Sequence, residues 1–127
     1  VARTLIRGFL AGIKRSSWDD IDHVTVDLDQ AEVAAVGWGV QVEVPDDTRT
    51  RRTLRIRRST ISGGSNALGL TGSFTSIDLG TAAEPGANAL TSSPTGHALI
   101  DGRSAVGLPI DATGTTLNGN SYSGAMT

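Results

Sequence analysis

His23-Val24-Thr25-Val26-Asp27-Leu28-Asp29 alternates strictly, with Val24, Val26 and Leu28 on one side and Thr25, Asp27 and Asp29 on the other. Successive side chains of a strand point to opposite faces, so a period of two predicts a half-buried strand. The pattern returns twice. In AAVGWGVQVEV (34–44), Val40, Val42 and Val44 alternate with Gln41 and Glu43. In RTLRIRRSTI (52–61), Leu54 and Ile56 alternate with Arg55 and Arg57. Pro45-Asp46-Asp47-Thr48 supplies turn chemistry between these two runs. Together the three segments predict an antiparallel meander or hairpin. The fold class expected is mainly β, a small antiparallel sandwich or barrel-like domain.

Charge is segregated around this nucleus. Nine of the 13 acidic residues lie between Asp19 and Asp47, and six of the 11 basic residues follow between Arg49 and Arg58. The last 69 residues contain a single Arg and no Lys. Opposite charges facing each other across strands stabilise a sheet by a few tenths of a kcal/mol per pair. Arg55 and Arg57 are therefore expected to face Asp27, Asp29 and Glu43 in a charge ladder. The run lacks an aromatic residue that could stack on a base, and the net charge of −2 gives no general attraction to phosphate. Neither nucleic acid nor a membrane is expected as a partner.

Outward from the sheet, RTLIRGFLAGIKR (3–15) places Leu5, Phe9 and Ile13 at i, i+4 and i+8. That spacing predicts a short N-terminal helix or arm over residues 1–16. Residues 17–62 form the charged sheet. Residues 63–112 hold short apolar islands bounded by Gly, Pro, Asn and Ser, which predict short strands and loops. Residues 113–127 are small and polar apart from Leu117, Tyr122 and Met126, and predict an extended, loop-rich C-terminal arm. The whole chain, 1–127, is read as one domain. The Ile-Asp pair at 77, 100 and 110 recurs without a fixed period, so no solenoid repeat is expected.

Candidate chemistry is sparse. Without cysteine, thiolate chemistry is excluded, and His23 and His97 are too few for a tetrahedral zinc site. Asp19, Asp20, Asp22, Asp27 and Asp29 lack the loop spacing of a calcium site. A Ser, His97 and Asp101 could be combined only on paper, and no nucleophile elbow is present. Trp38, between Gly37 and Gly39, is expected to cap the core. No catalytic residue, metal ligand or cofactor is assigned.

About a quarter of the chain is Val, Ile, Leu, Phe, Met, Trp or Tyr once the 14 alanines are set aside. So thin a core points to extra burial through self-association. The functional expectation is a structural, non-catalytic assembly protein: a phage virion component such as a capsid decoration or cement protein, or a head or tail protein. It would be a homo-oligomer, taken as a trimer by analogy with decoration proteins on threefold axes. Its other partner would be a structural protein such as a major capsid protein, and its location the virion, assembled in the host cytoplasm. The expected interface residues are Leu5, Phe9 and Ile13 in one arm and Leu117, Tyr122 and Met126 in the other. Arg49, Arg51, Arg52 and Arg58 would offer charge to an acidic neighbour. An extracellular adhesin or carbohydrate-binding module is the alternative, with an enzyme third.

Overall fold

A computed structural model of the chain describes residues 5–16, 23–44, 51–103, 110–118 and 123–124. The strands, in order, are β1 (Leu5–Ser16), β2 (His23–Asp29), β3 (Glu32–Glu43), β4 (Arg51–Arg57), β5 (Thr60–Gly63), β6 (Asn66–Gly72), β7 (Ser76–Asp78), β8 (Asn88–Ser92), β9 (His97–Arg103), β10 (Thr115–Asn118) and β11 (Ser123–Gly124). All of their pairings are parallel.

Parallel neighbours need a long connection, and here most steps lie near 28 residues, while Thr53 to Ser76 takes 23. Thr53 sits over Thr25, 28 positions back, Asn88 over Ser59 at 29, and His97 over Asn66 at 31. Such a chain winds as a coil, each turn stacking on the last at the strand spacing of about 4.8 Å. Three faces result. Face A stacks β2, β4 and β7. Face B stacks the first part of β3 with β5, β8 and β10. Face C stacks the second part of β3 with β6, β9 and β11. β1 lies along β3 through both faces, from Leu5 beside Glu32 to Ser16 beside Glu43. Faces B and C are thereby joined in one eight-stranded sheet that wraps the core.

Inside, like stacks on like. Val26, Leu54 and Ile77 form one column, Val33, Ile61, Leu90 and Leu117 a second, and Val40, Leu68 and Leu99 a third. All are buried except Val26 and Leu117, which are half-buried and pack against the rest. The corner from face A to face B repeats one device. Gln30, Arg58, Ala87 and Gly114 each turn the chain with a positive φ, of 54°, 49°, 51° and 75°. The next residue is Ala31 at the first corner and Ser59, Asn88 and Thr115 at the other three, and these form a polar stack on the Ala31 amide. Ser59 Oγ accepts from the Ala31 amide (3.1 Å), and Asn88 Oδ1 accepts from the Ser59 amide (3.0 Å). Asn88 Nδ2 donates to the Ile56 and Leu79 carbonyls (2.8 and 3.0 Å) and to Thr115 Oγ1 (3.0 Å). Buried corner carbonyls thus find partners that a tight turn would otherwise deny them.

Several expectations are overturned. The sheets are parallel, so the antiparallel sandwich or barrel is incorrect. β3 and β4, read as a hairpin, lie on different faces and do not pair. Alternation of inward and outward residues is the same in both kinds of sheet, so local pattern could not separate them. The N-terminal helix is replaced by β1, whose register shifts between Arg7 and Phe9 and again between Phe9 and Ala11. Residues four apart share a face in a regular strand as well as in a helix, so the spacing of Leu5, Phe9 and Ile13 could not separate the two. The loop-rich C-terminal arm contributes β10 and β11, which extend faces B and C. A solenoid repeat does exist, with its period blurred by loops of unequal length. The turn at residues 45–48 lies outside the described residues.

Candidate functional site

Ionisable side chains gather on the outer side of face A, where the odd-numbered residues of β2 and β4 alternate away from the core. Asp27, Arg55 and Asp78 are stacked in register, and Asp111 bridges to Asp78. Arg55 contacts Asp27 at 3.3 Å and Glu84 at 3.0 Å. Arg57, 2% exposed beneath residues 78–84, donates to Asp78 Oδ2 at 2.6 Å and to the Asp78 carbonyl at 3.2 Å. Arg58 grips Asp29 with two guanidinium nitrogens, Nε at 2.9 Å. That hydrogen bond, aided by the charges of Arg58 and Arg55, holds the Asp29 carboxyl below its ordinary range, and Asp29 raises Arg58 in return. The expected ladder therefore forms at Asp27 and Asp29. Glu43 is elsewhere, on face C, accepting from Gln41 Nε2 at 2.8 Å.

These ion pairs join successive coils. Arg55–Asp27 and Arg58–Asp29 tie β4 and its following corner to β2, and Arg57–Asp78 ties β4 to β7. A second pair lies inside the coil. Asp101, whose register partner is the buried Leu70, is bound at 2.7 Å by both Nε and Nη2 of Arg103, and both side chains are almost fully buried. Asp101 is thereby committed to Arg103, and His97 stands four residues along the same strand, about 13 Å away. The paper triad of Ser, His97 and Asp101 is not assembled. Among the described residues no three His, Cys, Asp or Glu are grouped to hold a metal ion. Asp19, Asp20 and Asp22 lie outside the described residues.

The expected interface residues are dispersed. Leu5, Phe9 and Ile13 fall on β1, which pairs along β3. Arg51 is exposed, whereas Arg52 is 1% exposed, beside the inward Leu54 column. Arg58 is exposed but held by Asp29. Leu117 is half-buried at the end of the face B column. Arg49, Tyr122 and Met126 lie outside the described residues. Of that set, Arg51 and Arg58 are exposed among the described residues, and Arg58 is paired with Asp29.

Trp38 does not cap the core. It is half-buried and is not among the partly buried residues packed on the core cluster. Its six-membered ring fills the space a side chain would take at Gly69 of the next coil, where a Cβ would stand 2.1 Å from Cζ3. Gly69 separates the inward Leu68 and Leu70, so the ring lies on the outside of face C. The sequence signal for this arrangement was present but unread: Trp38 and Gly69 can meet only once the step of about 28 residues is recognised. No protein-family model matches the sequence, and no curated protein or solved structure is significantly similar to the chain.

Proposed function

We propose that the chain is a structural, non-catalytic assembly protein, a solenoid module that stabilises a particle through subunit contacts. A phage virion is the setting we favour, with the chain as a decoration or cement protein or as a head or tail component beside a major structural protein. One observation carries this reading: among the described residues, the ionisable groups gathered on face A are spent on ties between coils. Arg55, Arg57 and Arg58 are each engaged by a carboxylate of an adjacent coil or loop, so the charge serves register rather than a reacting molecule. A stack of parallel coils is also a stiff object whose end strands offer main-chain groups to further strands. Among the described residues, β2 and β10 are each paired along one edge.

The test is the molar mass of the purified chain by light scattering, at physiological and at high salt. A defined oligomer, with a mass that is a multiple of 13.1 kDa, is expected, a trimer being the favoured state. A monomer at every concentration and salt would overturn self-association.

A further inference from the structure

The segment between β7 and β8, residues 79–87, is a strap that carries Glu84 to the outward arginines of β4. Both of its ends are pinned. The Leu79 amide donates to the Asp111 carbonyl at 2.6 Å, and the Gly80 amide to Asp78 Oδ1 at 3.0 Å. At the other end the Gly86 amide donates to the Thr113 carbonyl at 2.8 Å, and the Gly86 carbonyl accepts from the Arg58 amide at 2.7 Å. Between these anchors the chain turns on itself. The Thr81 amide donates to the Glu84 carbonyl (2.9 Å) and the Glu84 amide to Thr81 Oγ1 (3.0 Å). Ala82, Ala83, Glu84 and Pro85 are exposed. Among the described residues, Glu84 is the one side chain of this turn with an ion pair to the sheet.

Glu84 Oε1 stands between two guanidinium groups of unequal need, 3.0 Å from Arg55 Nη2 and 4.0 Å from Arg57 Nε. Arg55 is partly exposed and also meets Asp27 at 3.3 Å, so water replaces any partner it loses. Arg57 has no such recourse. Its Nη2 is held by Asp78 Oδ2 and its Nη1 by the Ile56 and Asp78 carbonyls, and its Nε is buried with no hydrogen-bond partner. Leaving a buried N–H of a charged group unpaired is costly, whereas an exposed ion pair contributes little. Arg57 is fixed by three acceptors, so the exposed turn is the part free to move. A shift of about 1 Å brings Oε1 to ordinary N–H···O distance from Arg57 Nε.

We propose that Glu84 is a two-position latch on this strap: it rests on Arg55 and closes onto Arg57 when Arg55 is drawn away by another carboxylate. Arg55 is the competitor that keeps the strap open. Whatever binds Arg55 in place of Glu84 shifts the population toward the closed strap, because it removes a contact that only the open position makes. Closure completes the hydrogen bonding of Arg57 and ties the turn to a fixed, buried group. The turn is then better ordered, and its local opening is rarer.

The experiment is NMR of the full chain as wild type, Arg55→Met, Glu84→Ala and the double variant. It reads hydrogen exchange at the Thr81 and Glu84 amides and the Arg57 Nε–H resonance. Arg55→Met keeps the side-chain stem and removes the competing donors. It should slow exchange at both amides by about threefold or more and move the Arg57 Nε–H proton downfield, the mark of a hydrogen bond gained. Glu84→Ala should speed the exchange and leave the Arg57 resonance in place, and the double variant should match Glu84→Ala alone. Circular dichroism checks that each variant is folded, and Arg55→Gln replaces Arg55→Met should the latter fail to fold. Faster exchange in Arg55→Met, as in Glu84→Ala, would show that Glu84 serves Arg55 alone and that there is no latch. Unchanged exchange with an unmoved Arg57 resonance would overturn the proposal equally. Both readouts are local to face A and do not depend on the oligomeric state, so the assembly reading stands or falls separately.

Discussion

Ala87 holds a left-handed backbone, φ 51°, at a corner where the equivalent residue of the next coil is Gly114. An L-residue in that conformation costs roughly 1–2 kcal/mol, because Cβ crowds the carbonyl. Its methyl is exposed, so deleting it forfeits little packing. Ala87→Gly relieves the crowding and gives part of the gain back through the freer unfolded chain. The expected result is a stabilisation of about 0.5–1 kcal/mol, measured by chemical denaturation. A destabilised variant would mean that the corner is not strained. Gln30 and Arg58 occupy the same position in earlier coils, and Asn88 one residue on shows what the corner needs next: a side chain that accepts from one coil and donates to another. None of this is visible in the residues singly. Gln30, Arg58 and Ala87 are not turn formers by type, and what they share is a place in the coil.

At the scale of elements, β2 and β4 show the limits of reading strands from a pattern. The alternation in His23–Asp29 and Arg51–Arg57 identified strands and which side of each faces the core. It also placed Asp27 and Asp29 opposite arginines. The direction of pairing was not legible, because facing charges look alike in parallel and antiparallel neighbours. The pair Asp29–Arg58 nonetheless makes a pH prediction. Asp29 has a folded pKa below its ordinary value of 3.8, so the unfolded chain takes up its proton first on acidification. The stability contributed by the pair is complete above the ordinary carboxylate range. It is lost from about pH 5 downward, as pH falls through the unfolded and then the folded value. Asp29→Asn cannot titrate, so its melting temperature should lie below that of the wild type at pH 7 and converge on it in acid. Parallel curves for the two proteins would show that Asp29 takes no part. High salt should shrink the difference at pH 7, since the pair is partly exposed.

For the molecule as a whole, contacts run almost entirely between adjacent coils, which makes stability a sum over neighbours. β3 has partners along both edges, β1 on one and β5 and β6 on the other, and β5 and β6 are likewise flanked. β2 and β10 are each paired along one edge among the described residues. Native-state hydrogen exchange should therefore be slowest in β3, β5 and β6 and faster in β2 and β10, graded along the coil axis. Uniform protection would mean that the coils open as one unit. The sequence by itself determined that the chain is β-rich, where the strands around residues 23–61 run, that Val40, Val42, Leu54 and Ile56 line the interior, and that arginines meet carboxylates. Those are local properties, set by the period-two geometry of a strand and by charge. The tertiary structure decided that the strands are parallel, that residues 5–16 are a strand, that Arg52 is buried and that Trp38 lies outside. Each of these depends on a partner about 28 residues away, and the unequal loops hide that distance from any local pattern.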